Sequence, residues 1–292
     1  MTHHRIPALA TLGMLVPATL LCLAFVTWPI LESLRLAFYE WAGVGKQTWV
    51  GLDNFEAIAK DPRVVGAITN NVVFAVVITA FSVAIATLLA AAIERRVRGW
   101  RFFKVVWFIP LVIPMTVAGI VWANAYDPHV GVINTLLEAV GIDAHPWLSD
   151  PGTALAAIMF VAVWQTVAYP MIIILAAMEG IDPHIQDAAT VDGVSPGRRL
   201  LHITLPNIRP VILTVILLQL IFSFKVFDIV WTMTQGGPGN VTEVLGTLVY
   251  KEAFTFHRFG TASALAFLSS AVITLVAVLF LRRWQTGRSS AA

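Results

Sequence analysis

The chain carries, between two long apolar runs, the segment Glu179-Gly180-Ile181-Asp182-Pro183-His184-Ile185-Gln186-Asp187-Ala188-Ala189-Thr190-Val191-Asp192-Gly193-Val194-Ser195-Pro196-Gly197-Arg198-Arg199-Leu200-Leu201-His202-Ile203-Thr204-Leu205-Pro206. A helix-to-helix connection in a bundle usually takes about 2–8 residues. This one is far longer and has its own punctuation. Asp182-Pro183 reads as a helix start, with Asp as cap and Pro at the first helical position. Ile185, Ala188, Ala189 and Val191 give a short, partly apolar helix, and Gly193 is placed to stop it. Ser195-Pro196 starts a second short helix with apolar Leu200, Leu201, Ile203 and Leu205, which Pro206 closes. Two short capped helices make a rigid knob rather than a tether.

Outward from the knob, the chain is strongly apolar. Of its 292 residues 58% are hydrophobic and only 12% are charged, and the mean hydropathy is +0.80. A soluble domain carries about 25% charged residues, so a water-coated globular enzyme and a disordered chain are both excluded. The net charge of +2 is too small to argue for nucleic acid. The single cysteine, Cys22, rules out an internal disulfide framework. Six stretches have the roughly 20 apolar residues a membrane-spanning helix needs: Thr11–Leu31, Asn70–Ile93, Phe102–Ala125, Thr153–Met178, Ile208–Trp231 and Thr261–Leu281. None alternates as a membrane strand does. The fold class is therefore all-α: a polytopic membrane bundle of six transmembrane helices, read as one membrane domain over residues 1–292, with the knob within 179–207. The first stretch is too long for a signal h-region and lacks a clean cleavage site, so it reads as a retained anchor.

Lys and Arg set the orientation. Arg95, Arg96, Arg98 and Arg101 cluster between stretches two and three with Lys104 just beyond, Arg198, Arg199 and Arg209 around the knob, and Arg282, Arg283 and Arg288 in the tail, whereas Tyr126–Gly152 holds none. The knob and both termini are thus expected on the cytoplasmic side. The long Glu32–Thr69 loop, which holds Arg35, Lys46, Lys60 and Arg63, weighs little in this rule.

Asp187-Ala188-Ala189, then Asp192-Gly193, then Ile203-Thr204-Leu205-Pro206 resembles the EAA loop of bacterial ABC-importer permeases. Asp187 stands where that family usually has Glu, which keeps the charge but shortens the reach by one methylene. The likeness covers most of the chain. Phe227-Asp228 and Thr234-Gln235-Gly236-Gly237-Pro238 resemble the segment after span five in sugar-type permeases. Asp127-Pro128, Gly131, Asn134 and Trp147-Leu148-Ser149-Asp150-Pro151 resemble the loop after span three, and Pro110 and Pro114 its Pro pair. The relatives in view are permeases for maltose, other oligosaccharides and glycerol 3-phosphate. The resemblance implies a type I ABC-importer permease fold in a bacterial plasma (inner) membrane. It implies a second, different permease subunit, an ABC ATPase dimer and an extracytoplasmic solute-binding protein as partners, with a carbohydrate as solute. ATP and Mg would sit on the partner ATPase; no cofactor is expected on this chain. Asp187, Ala188, Ala189, Asp192, Gly193, Ile203, Leu205 and Pro206 become the ATPase-coupling residues, Asp187 pairing with a basic residue of the ATPase and Gly193 permitting the tight reversal.

The solute path is expected where polar and aromatic side chains reach mid-membrane. Stretch four offers Gln165, Thr166 and Tyr169, and stretch five Gln219, Phe222 and Ser223. Gln165 and Tyr169 are four apart and share a face, as do Gln219, Phe222 and Ser223. Similarity to the maltose permease implies that these spans line the sugar site. An aromatic face covers the C–H surface of a sugar ring while amides and hydroxyls meet its hydroxyls. Interhelical hydrogen bonding is the alternative use of such residues. Lys225 and Asp228 fit a local ion pair or snorkelling as well as they fit transport. Trp28, Trp107, Trp122 and Trp231 fit either interface anchors or core packing. The histidines, His3 and His4 among them, show no metal spacing, and no catalytic set converges, so the chain is not expected to be an enzyme. Gly43-Val44-Gly45-Lys46-Gln47-Thr48 lacks the glycine spacing and the Ser/Thr of a P-loop. The rival is an ion-coupled secondary transporter, which needs intramembrane carboxylates or unwound helices. Stretches two, three, four and six offer no central Asp or Glu.

Overall fold

The computed structural model describes residues 8–289; His3 and His4 and both extreme termini, whose sidedness was expected above, lie outside them. Its described elements are helical apart from a two-residue antiparallel pairing of Tyr39–Glu40 with Thr48–Trp49. Among the described residues, Leu15–Leu36, Pro62–Glu94, Ala154–Glu179 and Phe259–Arg282 are each long and apolar enough to cross a bilayer. Two bent pairs raise the number to six: Trp100–Val112 with Met115–Ala125, and Pro196–Asn207 with Arg209–Phe224. The all-α, membrane-spanning class holds, but two of the expected spans are not continuous helices.

The third span, expected unbroken over Phe102–Ala125, turns by 103° between Val112 and Met115. Ile113 and Pro114 are extended there, with ψ of 126° and 137°. Pro114 has no amide to donate, and its ring pushes the preceding residue out of the helical region. Its freed neighbour, the Ile113 carbonyl, accepts from Gln165 Nε2 at 2.8 Å. The fifth span, expected over Ile208–Trp231, is helical over Arg209–Phe224, interrupted at Lys225–Phe227, and helical again over Asp228–Met233. Here the orphaned Phe224 carbonyl accepts from Asn71 Nδ2 at 3.0 Å, and Asn71 Oδ1 in turn accepts from the Leu245 amide at 2.7 Å. Each interruption is thus closed by an amide side chain from another span, which hydrocarbon surroundings require.

The chain packs as two units. One gathers residues up to Asp61 with Val249–Ala271. Within it Asn54 donates to the Ala37 and Tyr39 carbonyls, both at 3.0 Å, and accepts from Thr261 Oγ1 at 3.1 Å. A Cβ at Gly260 would lie 1.9 Å from the Tyr39 carbonyl oxygen, so only glycine allows that approach. The first-span side chains Leu20, Leu21, Cys22, Phe25 and Ile30 are exposed, as lipid-facing residues are.

The other unit, Pro62–Leu248 with the chain from Val272 onward, holds the candidate site. Its second span buries Ala67, Phe74, Ala75, Ile78, Ala86 and Ala90. Of these, Phe74 and Ile78 cluster with Ala157, Val161 and Ala162 of the fourth span, and Ala86 and Ala90 with its Ile174. Lipid supplies no hydrophobic drive between apolar helices, so close approach through small residues and interhelical hydrogen bonds hold them together. Ser82 Oγ and Thr166 Oγ1 make one such bond at 3.0 Å. Asn70 Nδ2 fastens the loop after span five through the carbonyls of Val241 at 3.0 Å and Glu243 at 2.7 Å.

Candidate functional site

A cavity of about 540 Å³ lies among the third, fourth and fifth spans of this second unit. All six path residues expected from sequence line it: Gln165, Thr166, Tyr169, Gln219, Phe222 and Ser223. Both helix interruptions open onto it, through Ile113 and Pro114 on one side and Lys225 to Asp228 on the other. Tyr169 and Phe222 meet edge to face, ring centroids 5.8 Å apart at 72°, and form an aromatic corner with Phe222 well exposed.

The polar groups of the wall divide into those with partners and those without. Thr166 Oγ1 donates to the Ala162 carbonyl at 2.7 Å and meets Ser82, so it serves the helix contact. Gln165 serves two purposes: Nε2 is spent on Ile113, while Oε1 is buried with no partner. Gln219 Nε2 and Ser223 Oγ are also buried and unpartnered. Their side chains are almost wholly enclosed, at 5%, 2% and 4% relative exposure for Gln165, Gln219 and Ser223. A buried polar atom without a partner costs roughly 1–3 kcal/mol. Three such atoms, an acceptor, a donor and a hydroxyl, belong to residues of one cavity wall.

Lys225 and Asp228 also line the cavity, and no ion pair within 4 Å joins them. The local pairing weighed from their spacing assumed a continuous helix. The interruption at Lys225–Phe227 removes that geometry, and both residues line the cavity. Sequence spacing alone left this open, because nothing in Lys225-Val226-Phe227 breaks a helix. Trp122 packs against Tyr126, Phe160 and Trp164 with centroids 5.4–5.7 Å apart, a core role, whereas Trp28 is exposed.

The knob has the expected punctuation with two corrections. Asp182 caps the helix Pro183–Val191, its carboxylate accepting from the His184 amide at 2.9 Å. Gly193 has a φ of +66°, its amide bonds the Thr190 carbonyl, and the Val194 amide bonds the Ala189 carbonyl, both at 3.1 Å. That double bond pattern is the Schellman stop, which asks for a left-handed residue at this position. Ser195 sits before the second helix, but its side chain makes no capping bond. Pro206 does not close that helix. The backbone widens into a π turn over Leu200–Thr204 and continues through Leu205–Asn207. The Leu205 amide reaches back to Leu200, and the next residue, Pro206, has no amide to misplace. Ile208 then makes the bend of 79° into span five.

Ala189 is buried beneath the knob, whereas Asp187, Ala188 and Asp192 are exposed and Ile203 and Leu205 half-buried. Val191 and Leu201 present 87% and 60% of their apolar surface. Arg199 Nη2 lies 3.7 Å from Glu94 Oε2, which fastens the second knob helix to the end of span two. On the loop after span three, Asn134 Oδ1 accepts from the His145 amide at 3.1 Å and from Trp147 Nε1 at 3.0 Å. There the backbone amides of Val130 and His129 hold the Asp127 carboxyl below the usual carboxylate range. Among the described residues, no three His, Cys, Asp or Glu side chains gather as a metal-ligand set.

Comparison with known proteins places this arrangement. Residues 100–287 match the family described as binding-protein-dependent transport system inner membrane component. The chain is 35% identical over 279 residues to the probable ABC transporter permease protein YurN of Bacillus subtilis, covering 94% of this chain and 95% of that one. It is 31% identical to the diacetylchitobiose uptake system permease protein NgcF of Streptomyces coelicolor, over 90% of this chain and 79% of NgcF. Its fold matches a chain in the crystal structure of a bacterial ABC transporter involved in the import of the acidic polysaccharide alginate, with a TM-score of 0.85, 22% identity and 95% of each chain covered.

Proposed function

Because the chain belongs to the binding-protein-dependent transport system inner membrane component family, we propose that it is the permease half of an ATP-driven importer whose solute is a sugar or a sugar-like polyol. It is a transport subunit and not an enzyme. The observation that carries the solute class is the unpartnered set Gln165 Oε1, Gln219 Nε2 and Ser223 Oγ beside the Tyr169–Phe222 corner. Polyhydroxylated rings supply both donors and acceptors to such a set and a C–H face to the aromatic corner. The diacetylchitobiose system of NgcF and the alginate transporter, named for saccharides, support the same class.

The knob is the coupling element to a separate ATPase. Asp187, Asp192 and the bared Val191 and Leu201 face outward, while Ala189, Arg199 and Glu94 tie the knob to the membrane helices. A second, different permease completes the pathway, and a binding protein delivers solute to the opposite face. The basic end of the bundle, with the knob and both termini, lies in the cytoplasm of a cell whose plasma membrane holds the complex. Transport proceeds by alternating access, with ATP and the binding protein each favouring one state by differential affinity.

The test is uptake by the full transporter in proteoliposomes. Uptake should need ATP inside and the ATPase subunit, and Tyr169→Ala should raise the solute KM while the complex still assembles. Uptake by this chain without the ATPase, driven by an ion gradient through Asp228, would overturn the reading in favour of a secondary transporter.

A further inference from the structure

A second cavity, of about 380 Å³, lies at the basic end of the bundle beneath the first knob helix. Glu94 ends span two there, Trp100 and Lys104 begin span three, Glu179 ends span four, and Gln186 and Asp187 come from the knob. The solute cavity, lined by Ile113, Gln165 and Ser223, shares no residue with it.

Its charges are sorted but not paired. Arg96 and Lys104 bring positive charge, Glu179 and Asp187 negative, and no ion pair within 4 Å joins them; only Glu94 is engaged, with Arg199. Gln186 Oε1 is buried and has no hydrogen-bond partner. Arg96 takes its φ of +50° as the left-handed stop of span two, its amide bonding the Ile93 carbonyl at 2.9 Å and the Val97 amide the Ala92 carbonyl at 3.2 Å, and this stop sets the exposed Arg96 at the cavity. An occupant with an anionic group beside Arg96 and Lys104 and an N–H-bearing cation beside Gln186 and Glu179 would meet both signs of charge within one cavity. The position narrows it further. The three span ends lie where a bilayer has its headgroups, Trp100 carries the indole typical of that layer, and the adjacent Phe102 and Phe103 are exposed on the same helix.

We infer that this cavity seats the headgroup of a phospholipid that carries a phosphate and a primary ammonium, as phosphatidylethanolamine does. The phosphodiester lies against Arg96 and Lys104, and the ammonium donates to Gln186 Oε1 and the Glu179 carboxylate. A choline headgroup has no N–H to give, and a glycerol headgroup has no cation, so each satisfies only part of the site. The inference rests on the bilayer-spanning fold and not on which solute is carried.

The experiment uses the assembled transporter, with its partner permease and ATPase, extracted from membranes of mixed phosphatidylethanolamine, phosphatidylcholine and phosphatidylglycerol. Native mass spectrometry reads the lipids retained as detergent strips the rest; this is independent of transport, so its failure and that of the solute reading are separable. Phosphatidylethanolamine should be retained over phosphatidylcholine by about tenfold, the effect of one charge-assisted hydrogen bond. Arg96→Gln with Lys104→Gln should abolish that retention. Glu179→Gln should weaken phosphatidylethanolamine and leave phosphatidylglycerol unchanged. If the double variant does not assemble, each single variant is held to the same criterion. Equal retention of the three lipids overturns the inference, as does retention indifferent to the variants. So does an empty site in the assembled complex, which would mean that the ATPase covers the cavity. Free phosphoethanolamine binding to the stripped transporter as tightly as the diacyl lipid would assign the site to a soluble ligand, and overturns it too.

Discussion

Replacing Gln219 by Leu separates a solute-binding amide from a structural one, because the two roles move stability in opposite directions. Gln219 is 2% exposed and its Nε2 has no partner in the solute-free protein. Leaving a buried donor unmade costs roughly 1–3 kcal/mol, and Leu removes that donor while filling most of the same volume. The solute-free transporter should therefore gain about 1–2 kcal/mol, a rise in Tm of about 2–4 °C for a chain of this size. With solute bound, the wild-type amide finds its partner and the variant has none to offer. The lost hydrogen bond, worth about 0.5–1.5 kcal/mol, should raise the apparent KM roughly two- to tenfold. The assays are thermal melting of the reconstituted complex with and without solute, and initial uptake rates across solute concentration. Were Gln219 an interhelical strut, Leu would lower the Tm and leave KM alone. That result refutes the reasoning, and so does a raised Tm with an unchanged KM.

At Gly193, where φ is +66°, Gly193→Ala should cost about 1 kcal/mol of knob stability, and Gly193→Pro, whose ring fixes φ near −65°, should uncouple solute-stimulated ATP hydrolysis while the bundle still inserts; unchanged stimulation of ATPase activity refutes this. Gly119 packs so closely on span five that a Cβ would lie 1.9 Å from Thr232 Oγ1, itself held by the Asp228 carbonyl at 2.8 Å. Gly119→Ala should thus destabilise by about 1–3 kcal/mol, and adding Thr232→Ala should restore most of the melting temperature. Asp127, held below its unfolded value by the Val130 and His129 amides, contributes stability that is complete above the unfolded carboxylate pKa and is lost as pH falls through the folded one. Amide exchange at His129 and Val130 should accordingly accelerate, relative to the intrinsic rate, only in that acid range, and Asp127→Asn should flatten the dependence.

What the sequence disclosed and what it withheld divide along the range of the interactions. The knob was legible because its signals are local: Asp182 before Pro183, and a glycine where the Schellman stop needs a left-handed residue. The six cavity residues were legible because polar side chains within apolar runs are costly and must face inward. The interruption at Lys225–Phe227 was not, since what permits it is Asn71, 153 residues away, donating to the Phe224 carbonyl. Pro114 was visible as a proline, but the donor that satisfies the freed Ile113 carbonyl, Gln165, lies 52 residues away. Pro206 misled because a proline late in a helix reads as a stop, whereas a π turn lets the chain pass it.

The two bends differ in how they can respond to a bound solute. At Ile113–Pro114 the interruption is covalent: Pro114 has no amide, so no continuous ladder can form there whatever the state of the transporter. Only the angle can change, and a change must carry the Ile113 carbonyl relative to Gln165 Nε2. At Lys225–Phe227 no proline intervenes, and the local backbone can in principle close into helix once the Phe224 carbonyl leaves Asn71. Closing it would set Lys225 and Asp228 side by side on one face of one helix, the spacing of an ion pair. With the interruption open, Lys225 and Asp228 both line the cavity unpaired with each other, and the fifth span that carries them runs back through Ile208 to the knob.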